Sequence, residues 1–267
     1  MPADRIEGAA RREVVEVTGG VSIAREDRLA EEVPLAIHGN GEPLAVMMAS
    51  PCDLEDFAHG FALTELGIAA DELVSVEVRP LLEGIELDLR TGRPLPARTA
   101  DRQRWLPGRS GCGICGNRQL EDVVRRPTAV AHGTAIAASS LDIALAGLEQ
   151  RQPLNAMTGA IHAAAWARGD GSLMLVREDV GRHNALDKLI GAMQREAVDP
   201  RSGFALVTSR ASYEMVSKAA MAGIPLLAAI SAPTALAVDL AEGCGLTLVG
   251  FLRRGRHVVY SHRHRLG

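Results

Sequence analysis

The chain has 267 residues, 47% of them hydrophobic and only 3% aromatic, enough apolar material for one large globular domain or two smaller ones. A formal net charge of -4 argues against bulk nucleic-acid binding, and the longest apolar stretch, residues 222–238, is broken by Pro225, Ser231, Pro233 and Thr234, which excludes a membrane span there. Residues 1–7 lack the apolar segment of a signal peptide, so the four cysteines are expected as reduced thiols in a cytoplasmic protein.

In chain order, the first dozen residues carry mixed charge without pattern and are expected to be mobile. Residues 13–17 predict a short edge strand. Residues 35–48 predict a hairpin, with His38-Gly39-Asn40-Gly41 turning between two apolar runs. Leu54, Phe57, Phe61 and Glu65 then recur at helical spacing until Gly67 stops the helix. Residues 73–79 and 85–90 predict two more strands; in the second, Ile85, Leu87 and Leu89 alternate with Glu86, Asp88 and Arg90. Residues 91–118 hold the Pro, Gly and Arg punctuation of a long loop, which in a compact domain points to function or disorder. A helix is expected next, capped by Ser139 or Ser140, with Leu141, Ala144, Leu145 and Leu148 on its buried face.

The second half changes rhythm. Residues 161–168 and 172–176 flank Gly169-Asp170-Gly171 as a further hairpin. Helices over 184–197, 212–222 and 234–242 then alternate with strands over 204–208, 226–230 and 247–252. That alternation predicts βαβ units around a largely parallel sheet. The expected fold class is therefore α/β, with a smaller strand-rich region over residues 1–118 and an α/β core over residues 119–267, which the N-terminal strands are available to complete.

Three polar clusters fall at predicted strand ends or helix starts, where an open α/β sheet places its ligands. The first contains Glu178, Asp179, Arg182, His183, Asn184, Asp187 and Lys188. Its plain alternative is a capped helix carrying a surface ion pair. The second, Ser209-Arg210-Ala211-Ser212, offers hydroxyls, an arginine and free backbone N–H groups, which suit a phosphate; a simple helix cap is the alternative. The third is Phe251-Leu252-Arg253-Arg254-Gly255-Arg256. Arginine forks match phosphate geometry, and beside the second cluster this run points to a phosphate-bearing nucleotide. His162, in an apolar strand, reads as a satisfied core residue, and Cys52 and Cys244 as structural cysteines.

The remaining two cysteines sit in Ser110-Gly111-Cys112-Gly113-Ile114-Cys115-Gly116, with Arg102, Arg104, Arg109 and Arg118 nearby in sequence. Glycines suit a mobile loop that carries its sulfurs elsewhere, and nearby positive charge favours the reactive thiolate. A structural zinc site lacks its second Cys/His pair, and a zinc deaminase would need H-x-E with P-C-x-x-C, whereas Gly111 precedes Cys112 and Ala164 follows His162 by two. Thiol–disulfide exchange and sulfur relay remain open, as does a non-catalytic cofactor chaperone. No resident metal is expected.

Taken together, SGCGICG at 110–116, EDVGRHNALDK at 178–188, SRASYEMVSKAAMAGIP at 209–225 and SAPTALAVDLAEGCGLTLVGFLRRGR at 231–256 resemble the FdhD family, accessory sulfurtransferases for formate dehydrogenase; EEVPLAIHGNGEPLAVMM at 31–48 also fits. The resemblance implies sulfur transfer from a cysteine desulfurase, through a persulfide on Cys112 with Cys115 as its partner, to the molybdenum (or tungsten) cofactor of formate dehydrogenase. It implies binding of bis-molybdopterin guanine dinucleotide by the stretch Phe251, Leu252, Arg253, Arg254, Gly255 and Arg256. Asp179, Arg182, His183, Asn184, Lys188, Ser209, Arg210 and Ser212 are expected to help bind or present that cofactor. A cytidine-deaminase-like core and a homodimer are implied as well. The chain departs from the family's usual pattern at Leu66, an extra residue before Gly67, at Ser209-Arg210, where a glycine usually stands between serine and arginine, and at Ala160, where a second glycine is common.

Overall fold

In the computed structural model, which describes residues 7–95 and 127–267, the chain opens with a two-stranded ribbon. Strands β1 (Ala9–Thr18) and β2 (Val21–Ala30) pair antiparallel around Gly19 and Gly20, both at positive φ (59° and 84°) as a tight hairpin turn requires. The expected edge strand at 13–17 is thus half of a longer hairpin, and Ala9 to Arg12, expected without pattern, belong to it. Charged and apolar residues share both faces of the ribbon, which hides the one-sided alternation that announces a strand.

A four-stranded sheet follows, in the order β4-β3-β6-β5, from β3 (Val33–Gly39), β4 (Glu42–Ala49), β5 (Leu73–Pro80) and β6 (Ile85–Thr91). The β3–β4 turn is Asn40-Gly41, at φ 52° and 86°, as its sequence announced. Helix α1 (Leu54–Leu66) ends at Gly67, whose φ of 67° lets its N–H and that of Ile68 return to the carbonyls of Leu63 and Ala62. Phe57 and Phe61 of α1 and Leu35, Ile37, Leu87 and Leu89 of the sheet close one apolar core.

The second sheet has six strands in the order β12-β11-β10-β9-β7-β8. They are β7 (His162–Arg168), β8 (Leu173–Asp179), β9 (Gly203–Val207), β10 (Leu226–Ala229), β11 (Thr247–Arg253) and β12 (Arg256–Val259). Helices α2 (Ala138–Gln150), α3 (Pro153–Thr158), α4 (Arg182–Arg195), α5 (Tyr213–Met221) and α6 (Ala235–Cys244) connect them. The expectation of a largely parallel sheet needs correction. Within this sheet only the pairs β9–β10 and β10–β11 are parallel; β7 meets β9 antiparallel, and the hairpins β7–β8 and β11–β12 flank the trio. Strands joined by tight turns cannot be parallel, because a parallel connection needs a crossover. The basic segment after Arg253 returns as β12, an edge strand of this sheet.

Leu186, Leu189, Val216 and Leu240 pack one face of this sheet, and Leu141, Ala144, Leu145 and Leu148 of α2 pack the other. Helix α2 starts after Ala137 rather than after a serine cap: Ser140 is buried, and the chain before it is held by pairing of Ile136 with Leu266. Helices α1 and α4 join the two sheets. They cross where Gly60 faces the carbonyl of Asp187 and Gly191 faces the carbonyl of Asp56, so closely that a Cβ on either glycine would lie 1.8 Å from that oxygen. Among the described residues no helix is long and apolar enough to cross a membrane.

Candidate functional site

The parallel strands β9, β10 and β11 deliver their C-terminal ends side by side, and the loops that follow are stitched together. The Ile230 N–H donates to the Val207 carbonyl, Ala211 pairs with Pro233, and the Phe251 N–H donates to the Ser231 carbonyl. The β7 start lies beside them, because the Ala163 N–H donates to Thr208 Oγ1 at 2.9 Å, and His162 stands opposite Asp179 at the end of β8. All three polar clusters thus reach one end of one sheet, the end at which α/β folds place ligands.

Within that end the residues divide by burial. Phe251, Arg253, Arg254, Gly255, Arg256 and Arg210 are exposed, and Arg182 and His183 are half-buried. Leu252 is fully buried in the sheet core, so its side chain faces away from any ligand there. Phe251 has φ 50°, where a bulky residue is strained, and it lies where the β11–β12 register shifts. Such a bulge re-aims side chains and is frequent beside functional sites. Arg253 donates to the Ile230 carbonyl, Arg254 to Glu149 across the surface, and the Gly255 N–H to Asp142 Oδ1 at 3.0 Å.

Asp179, Asn184 and Lys188 build the floor. Lys188 Nζ lies 2.7 Å from Asp179 Oδ2 with both side chains sealed from solvent, not the surface ion pair that was the plain alternative. Asp179 also accepts from the N–H groups of Ser50 and Gly181 and from Asn184 Nδ2, while Lys188 donates to the carbonyls of Ser50 and Glu178. This network clamps the 179–184 turn to the end of β4. A second buried pair, Lys218 with Asp187 at 2.8 Å, ties α5 to α4 and takes in Thr64 and Glu65 of α1. Burial opposes the charge on Lys218, but the Asp187 and Glu65 carboxylates outweigh it and hold its pKa above the ordinary lysine value.

The Ser209–Ser212 turn presents a different chemistry. Ser209 Oγ donates to the Arg210 carbonyl, and Ser212 precedes the first turn of α5 without capping it. The Ser212 hydroxyl is buried and has no hydrogen-bond partner among the described residues. An unsatisfied hydroxyl at the positive end of a helix suits an anion. His183 Nε2 stands 3.0 Å from Glu214 Oε2 in that same first turn, an ion-pair distance without hydrogen-bond alignment.

His162 belongs to this end of the sheet too, though its apolar strand suggested a plain core histidine. Burial, then the charges of Arg182 and His183, depress its pKa below the ordinary 6.5. Only strand pairing, invisible in sequence, brings it to Asp179. An unfolded chain takes up a proton below pH 6.5 that the folded imidazole resists, so stability is lost as pH falls from there toward the folded pKa. His162→Gln is expected to flatten that loss, measured as denaturation midpoints above and below pH 6.5; an unchanged slope would contradict it.

Cys112 and Cys115, with their flanking arginines, lie outside the described residues. Cys52 lies 3.8 Å from Lys188 Nζ and lines a cavity of about 590 Å³ with Arg151, Leu154 and Glu178. Burial raises its thiol pKa more than Lys188 lowers it, and burial likewise raises that of Cys244, so neither favours the thiolate. Among the described residues no group of three or more His, Cys, Asp or Glu side chains is placed to hold a metal.

Comparison with known proteins gives these features a context. Residues 30–267 match the model of the FdhD/NarQ family. A protein of Xanthomonas euvesicatoria pv. vesicatoria named sulfur carrier protein FdhD is 54% identical over 261 residues, covering 97% of this chain and 92% of its own. One of the same name from Bordetella petrii is 46% identical over 269 residues, covering 99% and 96%. A crystal structure from Desulfotalea psychrophila, of a protein assigned as a formate dehydrogenase accessory protein, shares the fold with a TM-score of 0.77 at 23% identity, covering 97% and 99%.

Proposed function

The chain belongs to the FdhD/NarQ family, and on that premise we propose that it is a cytoplasmic sulfur carrier required by formate dehydrogenase. In this reading the Cys112 thiolate attacks the outer sulfur of a cysteine desulfurase persulfide. The donor's S–S bond breaks, its cysteine leaves as thiolate, and Cys112 holds the sulfur as a persulfide. Cys115 assists release: its thiolate attacks the inner Cys112 sulfur, the persulfide S–S bond breaks, the outer sulfur leaves at the sulfide level, and the two cysteines are left as a disulfide. The acceptor is the molybdenum cofactor, bis-molybdopterin guanine dinucleotide, sulfurated before it enters formate dehydrogenase. The protein works as a homodimer whose second sheet is related to the cytidine-deaminase core.

The observation that carries the cofactor half of this reading is the convergence of three clusters on one sheet end. Exposed Arg210, Arg254 and Arg256, the unpartnered Ser212 hydroxyl and the α5 N-terminus offer charge and donors to phosphates, and Phe251 offers an aromatic face to a base. Asp179, Asn184 and Lys188 serve the ligand by holding the turn that bears Arg182 and His183. Arg256→Ala is expected to weaken binding of a guanine nucleotide by roughly tenfold or more, the loss of one charged hydrogen bond, and to leave sulfur loading intact. Calorimetric titration with GDP decides the matter, since equal affinity in the variant and the parent would remove Arg256 from the site.

A further inference from the structure

The β1–β2 ribbon is the least accounted-for part of the molecule. All of it but Ala30 precedes the family match, which begins at residue 30, and among the described residues it pairs with no other strand. Val15, Val17, Val21 and Ile23 are 60–64% exposed, and strand register distributes them over both faces: Val15 and Val17 on one, Val21 and Ile23 on the other. Contacts to the body lie at its base, where Gly8 meets Leu154 and Arg28 reaches Met157. A lone two-stranded hairpin with two wet apolar faces is marginal in water, and its free edges invite another strand.

We propose that the occupant is the same ribbon of a second copy, with the β1 strands pairing antiparallel across a two-fold axis perpendicular to the ribbon. Such an axis forces a residue to face its own counterpart at the centre, so charge selects the register. Centring on Arg12, Glu13 or Glu16 sets like charges against each other, and centring on Arg11 does the same. Centring on Val15 sets Glu13 against Val17 and Arg12 against Thr18, with no charge paired. Centring on Val14 sets Arg12 against Glu16 twice, places Val15 beside Glu13 and Val17 beside the Arg11 stem, and opposes no like charges. The result is a continuous four-stranded sheet, β2-β1-β1-β2, that leaves only the β2 edges open. This assigns a surface to the dimer and is independent of the sulfur chemistry, because the ribbon contains no cysteine.

The test uses full-length chains in sedimentation equilibrium. The parent is expected to be dimeric. Arg12→Glu and Glu16→Arg, each alone, turn both cross-axis pairs repulsive and are expected to weaken dimerisation about tenfold or more. Mixing the two variants restores both attractive pairs and is expected to return the dimer, as a heterodimer. Damage confined to each ribbon, such as loss of the Glu16–Arg25 bridge, is unchanged by mixing and cannot produce that rescue. A parent that is monomeric at high micromolar concentration, variants as dimeric as the parent, or a mixture that stays monomeric would each overturn the proposal. Variants that remain dimeric would leave the homodimer itself in place and move its interface elsewhere.

Discussion

Lys188→Met is expected to cost about 3–5 kcal/mol of folding stability, the range for removing one partner of a buried ion pair. The ammonium is fully enclosed and contacts Asp179 and the carbonyls of Ser50 and Glu178. Methionine fills much of the same volume, so the loss is electrostatic: the Asp179 charge keeps three hydrogen-bond donors but no counter-ion. Asp179→Ala should cost at least as much, since it strands the Ser50 and Gly181 N–H groups as well as the lysine. Urea unfolding with an unchanged m-value measures both. Values under about 1 kcal/mol, typical of a surface pair, would mean that the turn is not held as described. Because this network carries Arg182 and His183, the same variants should bind guanine nucleotide more weakly even where they stay folded.

Gly191→Ala comes next, with two opposed effects. Alanine favours a helix interior over glycine by about 1 kcal/mol. Against that, its Cβ would lie 1.8 Å from the Asp56 carbonyl oxygen, with the Gly60 nitrogen 2.8 Å away, and all of these are backbone atoms that no rotamer change can clear. The helices must separate, and with both cores built up to this crossing, a loss of about 3 kcal/mol or more is expected. Gly60→Ala should match it, since its Cβ meets the Asp187 carbonyl from the other side. Equal losses in thermal unfolding are the signature of a shared crossing; a gain in either would show that propensity dominates and the crossing is loose.

Much of this architecture was legible in the chain. Asn40-Gly41, Gly67 and the Leu141–Leu148 spacing each act through local backbone or one helix face, and each element formed where its residues indicated. Sheet order was not legible, because pairing is long-range: nothing local distinguishes β7, which joins β9 antiparallel, from a strand of a parallel sheet. The candidate site shows the same divide. The basic run at 251–256 and the serines at 209 and 212 stood out by type and position. Burial of Asp179, Asn184 and Lys188 did not, since their partners, Ser50 for Asp179 and Lys188 and Met48 for Asn184, lie 129 to 138 residues away in sequence. His162 escaped for a related reason, its neighbours being brought to it by strand register alone.

The central claim is that Cys112 carries sulfur, and intact mass spectrometry addresses it directly. The protein would be incubated with a cysteine desulfurase and cysteine without reductant, then mapped by peptide. The expected result is one added sulfur on Cys112, removed by dithiothreitol, absent from Cys112→Ala and absent from Cys52 and Cys244. A parent chain that gains no sulfur while the desulfurase turns over, or a Cys112→Ala chain that loads as the parent does, would contradict it.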